Sequence, residues 1–136
     1  MTNHFHFLLR IPQGGLSAGM QQLLTGYSRV TNKRYGRRDH LFRQHFLSVK
    51  LERDSHLLES ARYLVLNPVR AGLCDEPRRW RWSSYRACAG LAFVPRFLAA
   101  DELLKLFDKR PGPARRRYRD FVASAPDAVS DTVTEA

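Results

Sequence analysis

Two segments of the chain alternate between apolar and polar residues. In residues 4–11 the apolar positions on one face of an extended chain are Phe5, Phe7, Leu9 and Ile11. Residues 47–52 alternate in the same way, with one face formed by Leu47, Val49 and Leu51. Successive side chains of a β-strand point to opposite faces, so a period of two indicates a strand with one face in a core. We therefore predict two half-buried strands, at 4–11 and 47–52.

Four other segments have apolar residues at the spacing of an amphipathic helix. The predicted helices cover residues 17–35, 54–66, 97–107 and 114–123. Ser17 is the expected N-cap of the first helix, and Gly36 is placed to end it, because glycine tolerates the left-handed conformation found after many helices. Pro68 is predicted to stop the second helix, since the residue before a proline avoids the α conformation. Residues 110–113, Arg-Pro-Gly-Pro, are expected to join the last two helices.

The chain is strongly basic. Its 136 residues suit one domain, and a hydrophobic share of 43% excludes disorder throughout. Lys and Arg number 23 against 13 Asp and Glu, a net charge of +10, and 19 of the 23 bases are Arg. Residues 120–136 contain four acids and no base, so the positive charge belongs to the rest of the chain. Arginine binds phosphate in a bidentate fashion and stacks on bases, so we favour a nucleic-acid ligand over Arg-rich coding alone.

The sequence gives no sign of a membrane or secreted protein. No stretch approaches the ~18 consecutive apolar residues that indicate a membrane span, and the N-terminus lacks the charged-then-apolar pattern of a signal peptide. Cys74 and Cys88 are too few for a disulfide framework or a zinc ribbon, and we expect both to be reduced and structural. We therefore expect a soluble, cytoplasmic protein that has no membrane partner.

Two small groups of side chains are candidates for a site. His4 and His6 share one face of the first predicted strand, where they are either ligands of one metal ion or two surface histidines. Tyr63 lies off the apolar stripe of its helix, on the same side as Asn67 one turn later. Such a tyrosine is either an amphipathic residue at the core edge or a nucleophile whose phenolate is stabilised. The aromatic cluster at 80–85 is suited to stacking on bases or to covering the core.

Four short motifs follow one another in the first two thirds of the chain. They read NHFHFLL at 3–9, G…HLF from 36 to 42, RYLVLNPVRAGL at 62–73 and WSSY at 82–85. In this order they resemble the REP-associated tyrosine transposases, which are single-tyrosine HUH transposases of bacterial insertion sequences. The resemblance covers roughly residues 1–90.

This resemblance implies a fold and a division of the chain. The family fold is α+β, a ferredoxin-like HUH nuclease fold with a small antiparallel sheet and packed helices. In family members a first strand and a first helix precede the paired histidines. We expect this chain to lack both elements, because its histidines follow Met1 almost directly. Residues 1–90 would then form a partial HUH-type transposase domain and 91–124 a C-terminal helical extension. Residues 125–136 would form a disordered acidic tail.

The resemblance also implies a reaction. His4 and His6 match the family's paired histidines and Asn67 its third ligand, so they would bind Mg²⁺ or Mn²⁺. Tyr63 matches the nucleophile that attacks a phosphodiester of single-stranded DNA and leaves a 5′-phosphotyrosine and a free 3′-OH. The expected partner is single-stranded or hairpin DNA, and a homodimer is compatible with this reading. The residues expected to contact DNA are Arg29, Lys33, Arg34, Arg37, Arg38, His40, Arg43 and Arg70.

Two other functions remain open at this stage. A truncated remnant of such a transposase would keep the basic surface and bind DNA without nicking it. An RNA-binding structural protein would need no metal and would be indifferent to Tyr63. The truncated remnant would bind DNA through the same basic surface as the transposase. The RNA-binding protein would use neither the metal ion nor the Tyr63 nucleophile.

Binding to single-stranded DNA should weaken steeply with salt, because the positive charge would act mainly on phosphates. We expect log K to fall linearly with log salt, with a slope of about −0.7 for each phosphate contacted. The measurement is fluorescence anisotropy of a labelled oligonucleotide across a salt series. Deleting residues 120–136 should leave the affinity equal or tighter, since that segment is acidic. A flat salt dependence would show that the basic surface does not bind DNA.

Overall fold

The computed structural model describes residues 1, 3–11, 14–42 and 46–124. In these ranges the chain forms five α-helices and one short 3-10 helix, Pro77–Arg79. The α-helices are α1 (Leu16–Tyr35), α2 (Asp54–Arg70), α3 (Tyr85–Cys88), α4 (Ala100–Lys105) and α5 (Pro111–Ala123). The chain divides into two compact units. The first unit combines residues 1–8 with the chain from residue 51 onward, and the second comprises residues 9–50.

The predicted α+β ferredoxin-like fold is wrong for this structure. No β-strand occurs in the described ranges, and the segments 4–11 and 47–52 have no ladder. A strand needs a neighbour that accepts and donates its backbone hydrogen bonds, and the alternation of side chains does not supply one. The apolar faces remain outside any core, since Phe7 is 52% exposed and Leu47 is 76% exposed. The fold is helical.

The four predicted helices are confirmed, but several of their ends are not. The α1 helix begins at Leu16 after Gly15, whose φ is +83°, and not with Ser17 as its cap. Its predicted end at Gly36 is correct, with a φ of +62°. The α5 helix begins at Pro111, earlier than predicted, because a proline in the first turn has no N–H that needs an intrahelical partner.

The α2 helix continues past Pro68, which was predicted to stop it. Pro68 removes one N–H from the helix, but the chain keeps helical geometry up to Arg70. The helix then ends in a Schellman motif, in which the Leu73 N–H donates to the Pro68 carbonyl at 2.9 Å. The Gly72 N–H donates to the Val69 carbonyl, also at 2.9 Å, and Gly72 has a φ of +66°. This cap satisfies carbonyls at the helix end, which offsets the lost hydrogen bond.

The core of the first unit joins α2, α3, α4 and α5. Its buried members are Val65, Tyr85, Cys88, Ala89, Ala100, Leu104, Ala114, Tyr118 and Val122. Tyr118 is 1% exposed, and its ring lies 5.9 Å from that of Tyr85 and 5.7 Å from that of Phe107. Burial raises the pKa of the Tyr118 phenol and raises the pKa of the Cys88 thiol to about 11. Both groups therefore stay protonated inside this core at neutral pH.

Neither Cys74 nor Cys88 forms a disulfide. Cys74 is partly exposed and Cys88 is buried, and both are free thiols.

Within the ranges that the structure covers, no helix combines the length and the apolar character needed to cross a bilayer.

The Tyr118 hydroxyl has no hydrogen-bond partner in the structure, although it is buried. An unpaired buried hydroxyl costs free energy, so Tyr118→Phe should leave the protein as stable or make it more stable, by up to about 1 kcal/mol. Tyr118→Ala should instead destabilise it by about 3–5 kcal/mol, because it opens a large cavity. Urea unfolding of the three proteins measures both effects. A loss of stability in Tyr118→Phe would show that the hydroxyl has a partner.

Candidate active site

The α2 helix presents polar groups on the side opposite to the core. Ala61 and Val65 face the core, and Tyr63 lies about 200° around the helix from Ala61. Asn67 follows Tyr63 by one turn, about 40° away, so the two share one side. Tyr63 is half-buried, whereas Asn67 is only 8% exposed. The packing of the apolar stripe therefore fixes the direction in which Tyr63 and Asn67 project.

The N-terminal segment brings two histidines to this side of α2. The rings of His4 and His6 have centroids 5.1 Å apart and meet edge to face. The His6 ring in turn lies 6.2 Å from the ring of Tyr63, again edge to face. Although the segment forms no strand, its residues i and i+2 lie side by side, as the ring contacts of His4 with His6 and of Phe5 with Phe7 show. The structure thus groups His4, His6 and Tyr63, which the sequence places almost sixty residues apart.

The two imidazoles lie side by side, with ring centroids 5.1 Å apart. A ligating nitrogen lies about 2.0–2.2 Å from a divalent ion, so a shared ion requires both rings to turn a nitrogen toward one point. The edge-to-face arrangement is a ring-packing contact, and the rings would have to turn to share an ion. The His4 Nδ1 is hydrogen-bonded to the Asn3 Oδ1 at 2.7 Å, which orients the ring and leaves Nε2 available.

Asn67 meets one requirement of a third ligand. Its side-chain Nδ2 is buried and has no hydrogen-bond partner. The oxygen and nitrogen of an amide are assigned from their hydrogen bonds, so an unpaired buried amide can equally present its oxygen to an ion. In the described part of the chain, no group of three or more His, Cys, Asp and Glu side chains is placed to hold a metal. An ion bound here would therefore depend on His4, His6 and the Asn67 amide, with water or phosphate completing its shell.

Arg70 adds a positive charge beside the tyrosine. Its guanidinium carbon lies 5.5 Å from the centroid of the Tyr63 ring. A guanidinium in this position attracts the ring electrons and can bind a phosphate that approaches the hydroxyl. From the sequence, Arg70 was expected to contact DNA, and its contact with Tyr63 was not predicted. The signal was present in the spacing, because residues seven apart lie on the same side of a helix.

The other residues expected to contact DNA fall in the range of the second unit, and the structure describes all of them with one exception. Arg29, Arg38 and His40 line a cleft of about 440 Å³ between α1 and the loop that follows it. The Asn32 Nδ2 donates to the Asp39 carbonyl at 2.9 Å and holds this loop against the helix. Three more cations are exposed near the end of α1, namely Lys33, Arg34 and Arg37. The exception is Arg43, which lies outside the described residues.

The aromatic cluster at 80–85 separates into two roles. Tyr85 is 8% exposed and belongs to the core, and Trp80 is half-buried. Trp82 is 73% exposed, and the guanidinium of Arg81 stacks on its ring at 4.5 Å from the centroid. Tyr85 therefore belongs to the core, and stacking on bases stays a prediction for the exposed Trp82.

Comparisons with known proteins do not assign this chain to a family. No protein-family profile, no curated protein and no solved structure matches it.

Mn²⁺ binding tests the histidine pair without any need for activity. We expect His4→Ala and His6→Ala each to weaken Mn²⁺ binding by about tenfold or more, because each removes one of few ligands. His56→Ala is the matched control, since His56 is an exposed histidine in the first turn of α2. The loss of the free-Mn²⁺ signal in electron paramagnetic resonance gives the affinity. Equal affinities in all four proteins would exclude a metal site at His4 and His6.

Proposed function

We propose that this protein cleaves and rejoins single-stranded DNA through Tyr63, with a divalent metal ion held by His4, His6 and Asn67. The observation that supports the proposal is the grouping of three rings, with His4 and His6 at 5.1 Å and His6 and Tyr63 at 6.2 Å. Imidazoles are common ligands of a divalent ion that polarises a phosphodiester, and a phenol is a nucleophile that can form a bond to its phosphorus. The strongly basic chain provides the affinity for a polyanion.

In the proposed reaction Tyr63 is the nucleophile. The Tyr63 oxygen attacks the phosphorus of a phosphodiester and loses its proton to water. A bond from the tyrosine oxygen to phosphorus forms while the bond to the 3′ oxygen breaks. The departing 3′ oxygen takes up a proton, so that the products are a 5′-phosphotyrosine and a free 3′-OH. Attack by the 3′-OH of a second strand reverses these steps and rejoins DNA, which is the chemistry of transposition.

Arg70 and the metal ligands favour this attack by electrostatics. The Arg70 guanidinium, 5.5 Å from the Tyr63 ring, stabilises negative charge on the phenol oxygen or on the phosphate beside it. When bound, Mg²⁺ or Mn²⁺ would polarise the phosphate and orient it for in-line displacement. His4, His6 and Asn67 would hold that ion, and the Asn3 contact would keep the His4 ring in position.

DNA binding without cleavage is the second candidate function. It is favoured by the exposure of both imidazoles, on a segment that has no neighbouring strand among the residues that the structure describes. Catalytic ligands must be held to a fraction of an ångström, and an exposed segment without a ladder holds them less firmly than a sheet. The two candidates share the basic surface and differ in the fate of Tyr63, which makes the covalent adduct the deciding observation.

Tyr63→Phe should abolish the covalent protein–DNA adduct and leave DNA affinity nearly unchanged, because it removes one oxygen and no positive charge. The assay incubates the protein with labelled single-stranded hairpin DNA and Mn²⁺ and detects a shifted band on a denaturing gel. Tyr35→Phe is the matched control, since Tyr35 is an exposed tyrosine at the end of α1. The control protein should form the adduct at the rate of the original.

The same gel separates the two candidate functions. An adduct that persists in Tyr63→Phe would exclude Tyr63 as the nucleophile. If the unchanged protein binds the hairpin in a salt-dependent manner but forms no adduct at any Mn²⁺ concentration, DNA binding without cleavage is the function.

A further inference from the structure

Three aromatic rings downstream of α2 are far more exposed than apolar side chains usually are. Trp82 is 73% exposed, Phe93 is 83% exposed and Phe97 is 90% exposed. All three lie in the first unit, between the 3-10 helix and α4. Aromatic residues of this size normally dominate a core or an interface, so three rings left this exposed make the segment a candidate ligand surface.

The chain around Phe93 and Phe97 is ordered so that these rings face away from the core. Val94 and Leu98, the residues that follow them, pack against the core cluster. The Leu98 N–H donates to the Pro95 carbonyl at 2.9 Å, which closes a turn that contains Phe97. The same packing that buries one pair of side chains therefore presents the other pair to solvent.

The charge of this segment determines which ligand fits. From residue 77 to residue 100 the chain contains five Arg and no Asp or Glu. Arg78 and Arg79 form ion pairs with acids that precede the segment. The remaining three are Arg81, Arg86 and Arg96, and all of them are exposed. Arg81 stacks on the face of Trp82, and Arg96 directly precedes Phe97.

We propose that this segment is a stacking surface for single-stranded nucleic acid, separate from the site at Tyr63. Unpaired bases stack on Trp82, Phe93 and Phe97, and the neighbouring arginines bind the phosphates between them. Interleaved aromatic and cationic groups are what single-strand binding surfaces use, because every base has a stacking face and every linkage has a charge. A purely apolar partner would leave the arginines desolvated and unpaired. The proposal rests on the proposed function only for the choice of DNA as the probe.

The test uses the two tryptophans of the chain as reporters, in the full-length Tyr63→Phe protein so that no adduct forms. Trp80→Phe leaves Trp82 as the sole tryptophan, and Trp82→Phe leaves the half-buried Trp80. The probes are an oligothymidine and an abasic oligonucleotide with the same number of phosphates. We expect the oligothymidine to quench Trp82 and leave Trp80 unchanged. The abasic strand should bind about tenfold or more weakly, because it cannot stack.

Substitution of the phenylalanines gives a second, independent measurement. Phe93→Ala and Phe97→Ala should each weaken oligothymidine binding by about tenfold and leave abasic binding unchanged. Leu106→Ala is the control, since Leu106 is an exposed apolar residue after α4, at 39% exposure. Equal binding of the two probes, or quenching of Trp80 instead of Trp82, would overturn the proposal. So would phenylalanine substitutions that change the sedimentation of the protein alone and not its DNA affinity, since the rings would then contact a second copy.

Failure of the stacking surface and failure of the proposed function are distinguishable. Base-dependent quenching of Trp82 in a protein whose unsubstituted form yields no phosphotyrosine adduct would support the surface and exclude cleavage. An adduct without any preference for bases over abasic strands would do the reverse.

Discussion

The packing of one face of α2 against the helices that follow it is the constraint on which the rest of the first unit depends. Val65 belongs to the buried cluster that contains Tyr118 of α5. Because a helix is rigid, burying this stripe also sets the direction of the opposite face, where Tyr63 and Asn67 lie. The Schellman cap after Pro68 keeps the helix regular as far as Arg70, whose guanidinium reaches the Tyr63 ring. One side of α2 therefore packs in the core, and the other side carries the candidate site.

The proposed chemistry at Tyr63 does not depend on the sheet that the motif resemblance implies. The ferredoxin-like sheet is contradicted, because the described ranges contain helices and no strand. The functional proposal does not need that sheet for its main observation, which is the edge-to-face grouping of His4, His6 and Tyr63. It does need the N-terminal segment to hold two imidazoles in place. The described residues contain no sheet to hold this segment, and this favours the alternative of DNA binding without cleavage.

Local patterns predicted what depends on local geometry and missed what depends on distant partners. The polar side of α2 with Tyr63 and Asn67 followed from helical spacing alone. The alternation at 4–11 and 47–52 indicated strands, but pairing depends on a neighbouring segment that no local pattern specifies. Burial depends on distant partners in the same way. The apolar spacing of α1 predicted the helix correctly, but Met20 is the one residue of this helix that is buried. The contact of His6 with Tyr63 likewise depends on residues far apart in sequence.

In the proposed arrangement His4, His6 and Asn67 hold a metal ion beside Tyr63, and paramagnetic broadening by Mn²⁺ tests it. Broadening falls with the sixth power of distance, so small additions of Mn²⁺ affect the nearest rings first. In protein labelled with ¹³C in its His and Tyr rings, we expect the His4, His6 and Tyr63 signals to broaden together. Tyr118, in the core on the other side of α2, should broaden later. Sharp Tyr63 signals alongside broadened histidine signals, or no selective broadening at all, would exclude a metal ion at His4 and His6 beside Tyr63.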